Sequence, residues 1–248
     1  MNSEHTVRSY DEELSYLNNL IARMGGLAEA QLDGAIQALV KRDSELASRI
    51  VAADSRVDEL EHEVHDFTVR LLALRQPMAQ DLRSIVCALK VSGDLERIAD
   101  YAANAAKRVQ VLNQLPPAKP VSGVPRLARL VQHILKEVLD AYVEQDVERA
   151  TKVWTQDEEV DEMYTGLFRE LITYMMEDAR NITACIHLMF IAKNIERIGD
   201  HATNIAETIY FVVHGVPMLE NRPKGDTTSF TVVDPTTGAT NAIDKTGS

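Results

Sequence analysis

The sequence predicts an all-α fold, a tandem repeat of two three-helix bundles built from six long helices. Three observations predict it. Prolines are clustered, at Pro77, at Pro116, Pro117, Pro120 and Pro125, and at Pro217, Pro223 and Pro235, so the stretches between them are nearly free of the costliest helix residues. Apolar residues inside those stretches recur every three or four positions. The second half of the chain also repeats the first.

The first helix is expected over about 7–40, where Leu14, Leu17, Leu20, Ile21, Met24, Leu27, Ala28 and Leu32 form one face. Asp43 or Ser44 can cap the second, because a side-chain oxygen satisfies the free N–H groups of a first turn. Its core lines are Leu46, Ala53, Leu60, Phe67, Leu74 and Ile50, Val57, Val64, Leu71. Both lines step by seven, as in bundles with coiled-coil-like packing. Pro77 ends this helix, and the third runs from about Met78 to Leu112. The run NQLPPAKPVSGVP, residues 113–125, cannot be helical throughout. Further helices are expected over about 126–144, 146–176 and 180–214. The tail beyond Pro217 has many Thr, Gly, Asp and Asn residues and no periodicity, and is expected to be disordered. The domain layout is a first repeat over 1–115, a linker over 116–125, a second repeat over 126–215 and the tail over 216–248.

The duplication is explicit. ERIADYAANAA at 96–106 aligns with ERIGDHATNIA at 196–206, identical at seven of eleven positions with an offset of 100. Asp43, Glu45, Ala47, Asp54, Val57, Asp58 and Glu59 recur as Asp146, Glu148, Ala150, Asp157, Val160, Asp161 and Glu162, with an offset of 103. The difference falls at the Pro77 turn, where an insertion or deletion is tolerated. The repeats are then related by a pseudo-twofold or by translation.

Composition narrows function. The 248 residues carry a net charge of −12 and no segregated basic patch, which makes nucleic acid a poor partner. No apolar run reaches the roughly 18 residues that span a bilayer, and the N-terminus lacks a signal-peptide pattern. Two cysteines, Cys87 and Cys185, form neither a disulfide framework nor a C-x-x-C pair, so a soluble, cytoplasmic chain with reduced thiols is expected. No Gly-rich phosphate loop, G-x-S-x-G or Ser-His-Asp pattern is present.

The informative residues are repeated acids. Glu96 and Asp100 are four apart and share a helix face, as do Glu196 and Asp200. Leu82, Leu89, Glu96 and Ala103 step by seven, as do Ile182, Met189, Glu196 and Thr203, so each glutamate continues a line begun by apolar residues. Carboxylates so placed repel and lose hydration, and a cation is the natural compensation. Magnesium and manganese prefer oxygen ligands, and iron and zinc accept them. Asp58 and Asp161, on the preceding helix of each unit, are candidates to complete the two sites. Asp54, Glu61, Asp157, Asn104 and Asn204 could assist, and His65 lies on the Asp58 line. The plainer alternative is a solvated acidic face with ion pairs from Arg97 to Asp100 and from Arg197 to Asp200. Glu59-x-x-His62 is half of a di-iron pattern whose repeat counterpart, Glu162-x-x-Thr165, lacks the histidine. His187 and Trp154 read as packing residues, the histidine with its polar atoms satisfied. His201 points roughly 100° away from Asp200, toward a neighbouring helix.

NIERIGDHATNIAE at 194–207 resembles the signature of the PhoU family, and DLERIADYAANAA at 94–106 resembles the same signature in the first repeat. QPMAQDLRSIVCALK at 76–90 is similar to the family's lead-in. The resemblance covers about 7–215. It implies a PhoU-like fold and metal binding at Glu96, Asp100, Glu196 and Asp200, with Asp58 and Asp161 as a softer transfer. Ala99 and Tyr101 stand where the second motif has Gly199 and His201, which could change occupancy of the first site. The resemblance further implies a non-enzymatic adaptor between the ATPase subunit of the phosphate ABC transporter, PstB, and the sensor histidine kinase PhoR. Such a protein keeps the phosphate-starvation regulon off when phosphate is plentiful, and dimers are common in the family. The competing readings are a carboxylate-bridged metal enzyme of di-iron or phosphohydrolase type and an ion-free structural bundle.

Overall fold

The computed structural model describes residues 2–75, 77–117, 122–218, 226, 228, 231–233 and 240–242. Eight α-helices are described: α1 (Asn2–Lys41), α2 (Ser44–Ala53), α3 (Ser55–Arg75), α4 (Ala79–Leu112), α5 (Gly123–Glu144), α6 (Val147–Thr155), α7 (Asp157–Glu177) and α8 (Ile182–His214). They are the six expected rods, with the second and fifth each interrupted once. The helix expected between the Asp43–Ser44 cap and Pro77 breaks at Asp54, where Val57 N–H bonds Asp54 O at 2.9 Å, an i→i+3 closure. The expected 146–176 helix breaks at Gln156, whose N–H is shared between Lys152 O and Val153 O. These tight turns re-aim the chain without ending the rod. They also set Asp54 and Asp58 in one repeat, and Asp157 and Asp161 in the other, at the start of a new helical segment.

The same junction opens each outer rod. Arg42 and Gln145 both adopt the left-handed conformation, each at a φ of 54°. Asp43 N–H then bonds Ala38 O at 2.9 Å, and Asp146 N–H bonds Ala141 O at 3.0 Å. This is the reversal that usually uses glycine. The Asp43 and Asp146 carboxylates next accept from Leu46 N–H at 2.9 Å and Arg149 N–H at 3.0 Å. Asp43 is therefore the cap. Helix α5 begins at Gly123 rather than 126, because Pro125 falls in the first turn, where no N–H is needed. Of the expected linker, 118–121 lie outside the described residues.

Helices α1, α4, α5 and α8 form the inner layer, with α1 packed on α4, α5 on α8, α4 on α8 and α1 on α5. The interrupted rod α2–α3 covers α1 and α4, and α6–α7 covers α5 and α8. Along the α4–α8 seam, Asp94 meets His201 and Arg108 lies over Phe190, so the two helices run antiparallel. Repeats joined through equivalent, antiparallel helices are related by a pseudo-twofold, not by translation. The core follows the apolar rhythm, with Leu20, Met24, Leu32, Ile85, Leu95, Ile98, Leu135 and Ile195 fully buried. One expected line of the second rod is buried at Val57, Val64 and Leu71, whereas the other loses Ala53 and Leu74 to solvent. The lines through the glutamates likewise start exposed, at Leu82 and Ile182. A straight helix drifts about 20° per heptad against a strict seven-residue line. The line therefore rotates from surface toward core along each helix.

The tail departs from its expected disorder where it is described. β1 (Thr231–Val233) pairs antiparallel with β2 (Thr240–Ala242), and Asp226 and Thr228 contact the second bundle at Asp161 and Tyr164. The rest of the tail beyond Met218, including Pro223 and Pro235, lies outside the described residues.

Candidate metal centres

The first acidic cluster lies between α3 and α4. Asp58, Glu61 and His62 face Gly93, Glu96, Arg97 and Asp100 across an open cleft of about 440 Å³. Arg97 is the nearby counter-charge, 3.4 Å from Glu96 and 3.5 Å from Asp100, as the solvated-face alternative expected. It is insufficient for the set. Burial pushes the Glu96 carboxyl above its ordinary range, and Asp100, Asp58 and Glu61 add repulsion that Arg97 only partly offsets. Burial also raises Asp54, with Asp100 and Asp58 adding to it, and its Oδ1 is buried without a partner.

The second cluster lies between α7 and α8 and is deeper. Glu196 and Asp161 are both 4% exposed. Here Lys193 supplies the counter-charge, with Nζ 2.8 Å from Glu196 Oε1 and 3.0 Å from Asp226 Oδ2. Asp226 N–H donates to Asp161 Oδ2 at 3.1 Å. Burial raises Glu196 to about 7, against the pull of the Lys193 ammonium, and Asp200 adds to the rise. For Lys193, burial works against the charge, but its bonds to Glu196 and Asp226 win and the ammonium titrates above its usual range. Glu196 Oε2 remains buried with no partner. Asp157 is held by the Thr203 hydroxyl at 3.2 Å.

The structure thus brings Asp58 to Glu96 and Asp100, and Asp161 to the Glu196 neighbourhood through Asp226. Among the described residues, no three His, Cys, Asp or Glu side chains converge closely enough to hold a metal ion as they stand. The donor set nonetheless fits a hard or borderline cation: oxygen ligands, partial burial and an orphaned carboxylate oxygen.

The other sequence candidates separate cleanly. His65 does not line the first cleft; it is exposed beside Asp66. His62 does line it, but its Nδ1 is bonded to Asp58 O at 2.7 Å, and Glu59 is exposed, so the half di-iron pattern gathers no pair of ligands. Asn104 accepts from Lys107, and Asn204 donates to Asp94. His201 does meet the neighbouring helix, at Asp94 Oδ1. Arg197 lies over the Tyr101 ring, 5.5 Å from its centroid. His187 is not satisfied as expected: its Nδ1 is buried without a partner, and burial and Arg108 lower its basicity. Trp154 packs in the core and also donates to Glu207 at 3.2 Å. Both cysteines are buried, with thiols pushed up by that burial, which makes them unreactive.

Three site residues escaped the sequence reading. Lys193 was detectable, since it stands three before Glu196 and aligns with Gly93. Asp94 belongs to the quoted motif, but its burial depends on α8. Asp226 gave no signal, because the tail has no period.

The PhoU domain model matches this chain twice, over residues 21–109 and 124–209. The phosphate-specific transport system accessory protein PhoU homolog of Caulobacter vibrioides (strain NA1000 / CB15N) is 52% identical over 228 residues, covering 92% of this chain and 99% of that protein. The homolog of the same name from Rhizobium meliloti (strain 1021) is 48% identical over 230 residues, covering 92% and 97%. The crystal structure of PhoU from Pseudomonas aeruginosa superposes with a TM-score of 0.81 at 38% identity, covering 84% of this chain and all of that one. That of the phosphate transport system regulatory protein PhoU from Streptococcus pneumoniae gives 0.77 at 27% identity, covering 84% and 99%. These relatives are named for accessory and regulatory roles, not for catalysis. With two domain matches and half its residues shared along nearly its whole length, this chain belongs to the PhoU family.

Proposed function

We propose that this chain is a metal-binding regulatory adaptor of phosphate uptake. It would link the phosphate ABC transporter, through its ATPase subunit PstB, to the sensor histidine kinase PhoR, and repress the phosphate regulon when phosphate is plentiful. The carrying observation is near full-length identity of 52% to a protein named as an accessory of phosphate-specific transport. The long acidic helical rods support docking rather than turnover. Among the described residues no helix is long and apolar enough to cross a membrane. Membrane contact would therefore run through the partners, with the protein itself in the cytoplasm and acting as a homodimer.

Asp58, Glu96 and Asp100 would hold a cation in the first repeat, and Asp161, Glu196 and Asp200 in the second. The ion, whether iron, zinc, manganese or magnesium, would neutralise the clustered carboxylates and tie each outer rod to its inner helix. Glu96 and Glu196 sit on α4 and α8, the helices that form the inter-repeat seam, so occupancy would stiffen that seam and the surface that partners meet.

The test is affinity capture of the tagged full-length chain from detergent-solubilised host membranes in phosphate-rich medium, read by mass spectrometry. Recovery of the transporter ATPase or the kinase is the expected result. Recovery of neither, with folded and abundant bait, would sink the adaptor role.

A further inference from the structure

The two acidic clusters are aligned in sequence but not equivalent in space. Gly93 in the first corresponds to Lys193 in the second, and Glu61 corresponds to Tyr164. Passing from the first repeat to the second, the set thus loses one acid and gains one cation. Gly93 leaves space beside Glu96, where an added Cβ would meet nothing within 4 Å. Lys193 fills the corresponding space. Its ammonium reaches Glu196 at 2.8 Å and lies 4.9 Å from the centre of the Tyr164 ring.

The tail completes the difference. Asp226 lies 3.0 Å from Lys193 Nζ through its carboxylate and donates its N–H to Asp161 at 3.1 Å. Thr228 folds back onto the same carboxylate, its N–H 2.8 Å and its hydroxyl 2.6 Å from Asp226 Oδ1. Asp226 is thereby pinned beside Glu196 by its bonds to Lys193 and Asp161. Among the described residues, no corresponding contact lies over the first-repeat cleft.

We infer that Lys193 and Asp226 are resident occupants of the second cluster, so that divalent cations load the two repeats unequally and enter the first-repeat cleft first. This rests on the metal-binding reading above. The physical ground is competition. A cation entering the first cleft meets uncompensated carboxylates and one peripheral arginine. A cation entering the second must displace an ammonium that already bonds Glu196, and must lift Asp226 from Asp161. The buried, unpartnered Glu196 Oε2 marks what the ammonium leaves unsatisfied. The second cluster is therefore a cation site held in reserve, opened when Asp226 and the Lys193 ammonium are displaced.

The experiment uses the full-length chain stripped of metal, with Mn²⁺ as the probe. Binding is counted by equilibrium dialysis and assigned with two double variants, Glu96→Gln with Asp100→Asn and Glu196→Gln with Asp200→Asn. The wild type should hold one tight Mn²⁺, lost in the first double variant and kept in the second. Lys193→Met, with Lys193→Gln as a second form should the first misfold, should tighten the second cluster by tenfold or more. The same variants should speed hydrogen exchange at the Asp226 amide without any metal present. Equal filling of both clusters in the wild type, or second-cluster affinity within twofold after Lys193 is changed, would overturn the inference while leaving metal binding intact. Mn²⁺ binding at neither cluster in any variant would overturn the metal reading, and the inference with it.

Discussion

His201 Nδ1 lies 2.8 Å from Asp94 Oδ1 across the α4–α8 seam, joining the two repeats through a side-chain pair that the pseudo-twofold does not reproduce. The equivalent positions hold Tyr101 and Asn194. Asp94 is 8% exposed, and its other oxygen has no partner. Removing either member of such a pair leaves a buried polar group uncompensated, at about 1–3 kcal/mol. His201→Ala and Asp94→Ala should each lower the unfolding midpoint by that order, and the double variant should lose clearly less than the sum. Strict additivity in denaturant titrations would show that the pair is not coupled.

Glu196 sets a pH dependence in metal-free protein. Its folded value, about 7, is above the ordinary 4.5 because burial disfavours the charged form. The folded state therefore binds the proton more tightly than the unfolded state between these values. Stability should then fall as pH rises from about 4.5 to 7, by at most about 3 kcal/mol. Glu196→Gln should flatten that part of the profile. A chelated wild type that gains stability over the same range would contradict the assignment.

The first cluster makes a milder version of the same claim. Glu96 is raised by burial and by Asp100, Asp58 and Glu61. Glu96→Gln removes one repelling charge and should stabilise chelated protein at neutral pH by about 0.5 kcal/mol. In the presence of a bound cation the sign should reverse, because a ligand is lost. Calorimetric melting with and without chelator reads both signs.

Gly215 ends α8 in the left-handed region, with φ of 73° and its N–H bonded to Phe211 O at 2.8 Å. Any side chain there is strained. Gly215→Ala should lower stability by about 1 kcal/mol, with an unchanged denaturant slope. An unaffected midpoint would mean that the last turn frays freely.

The rods and caps were legible because their causes are local. Leu20, Met24 and Leu32 announce the buried face of α1, and Asp43 announces the cap of α2, within a few residues of sequence. The outer-rod breaks were not legible. Asp54 and Gln156 are compatible with an uninterrupted helix, and only packing against α4 and α8 makes a re-aimed segment preferable. Leu82 and Ile182 misled for a geometric reason, since a seven-residue line rotates around a straight helix and ends on a different face. The PhoU-type acids were legible from their recurrence at Glu96, Asp100, Glu196 and Asp200. Their inequality was visible only in the repeat alignment, as Lys193 facing Gly93 and Tyr164 facing Glu61.

By itself, the sequence determined that the chain is helical, duplicated, acidic and marked by two matched carboxylate motifs, because helical period and repeat identity are properties of neighbours along the chain. Only the tertiary structure decided that the repeats meet antiparallel through α4 and α8, that Asp94 finds His201 from 107 residues away, and that Asp226 closes on Lys193 from 33 residues away. Those pairings depend on where whole rods come to rest against one another, and no local periodicity encodes that distance.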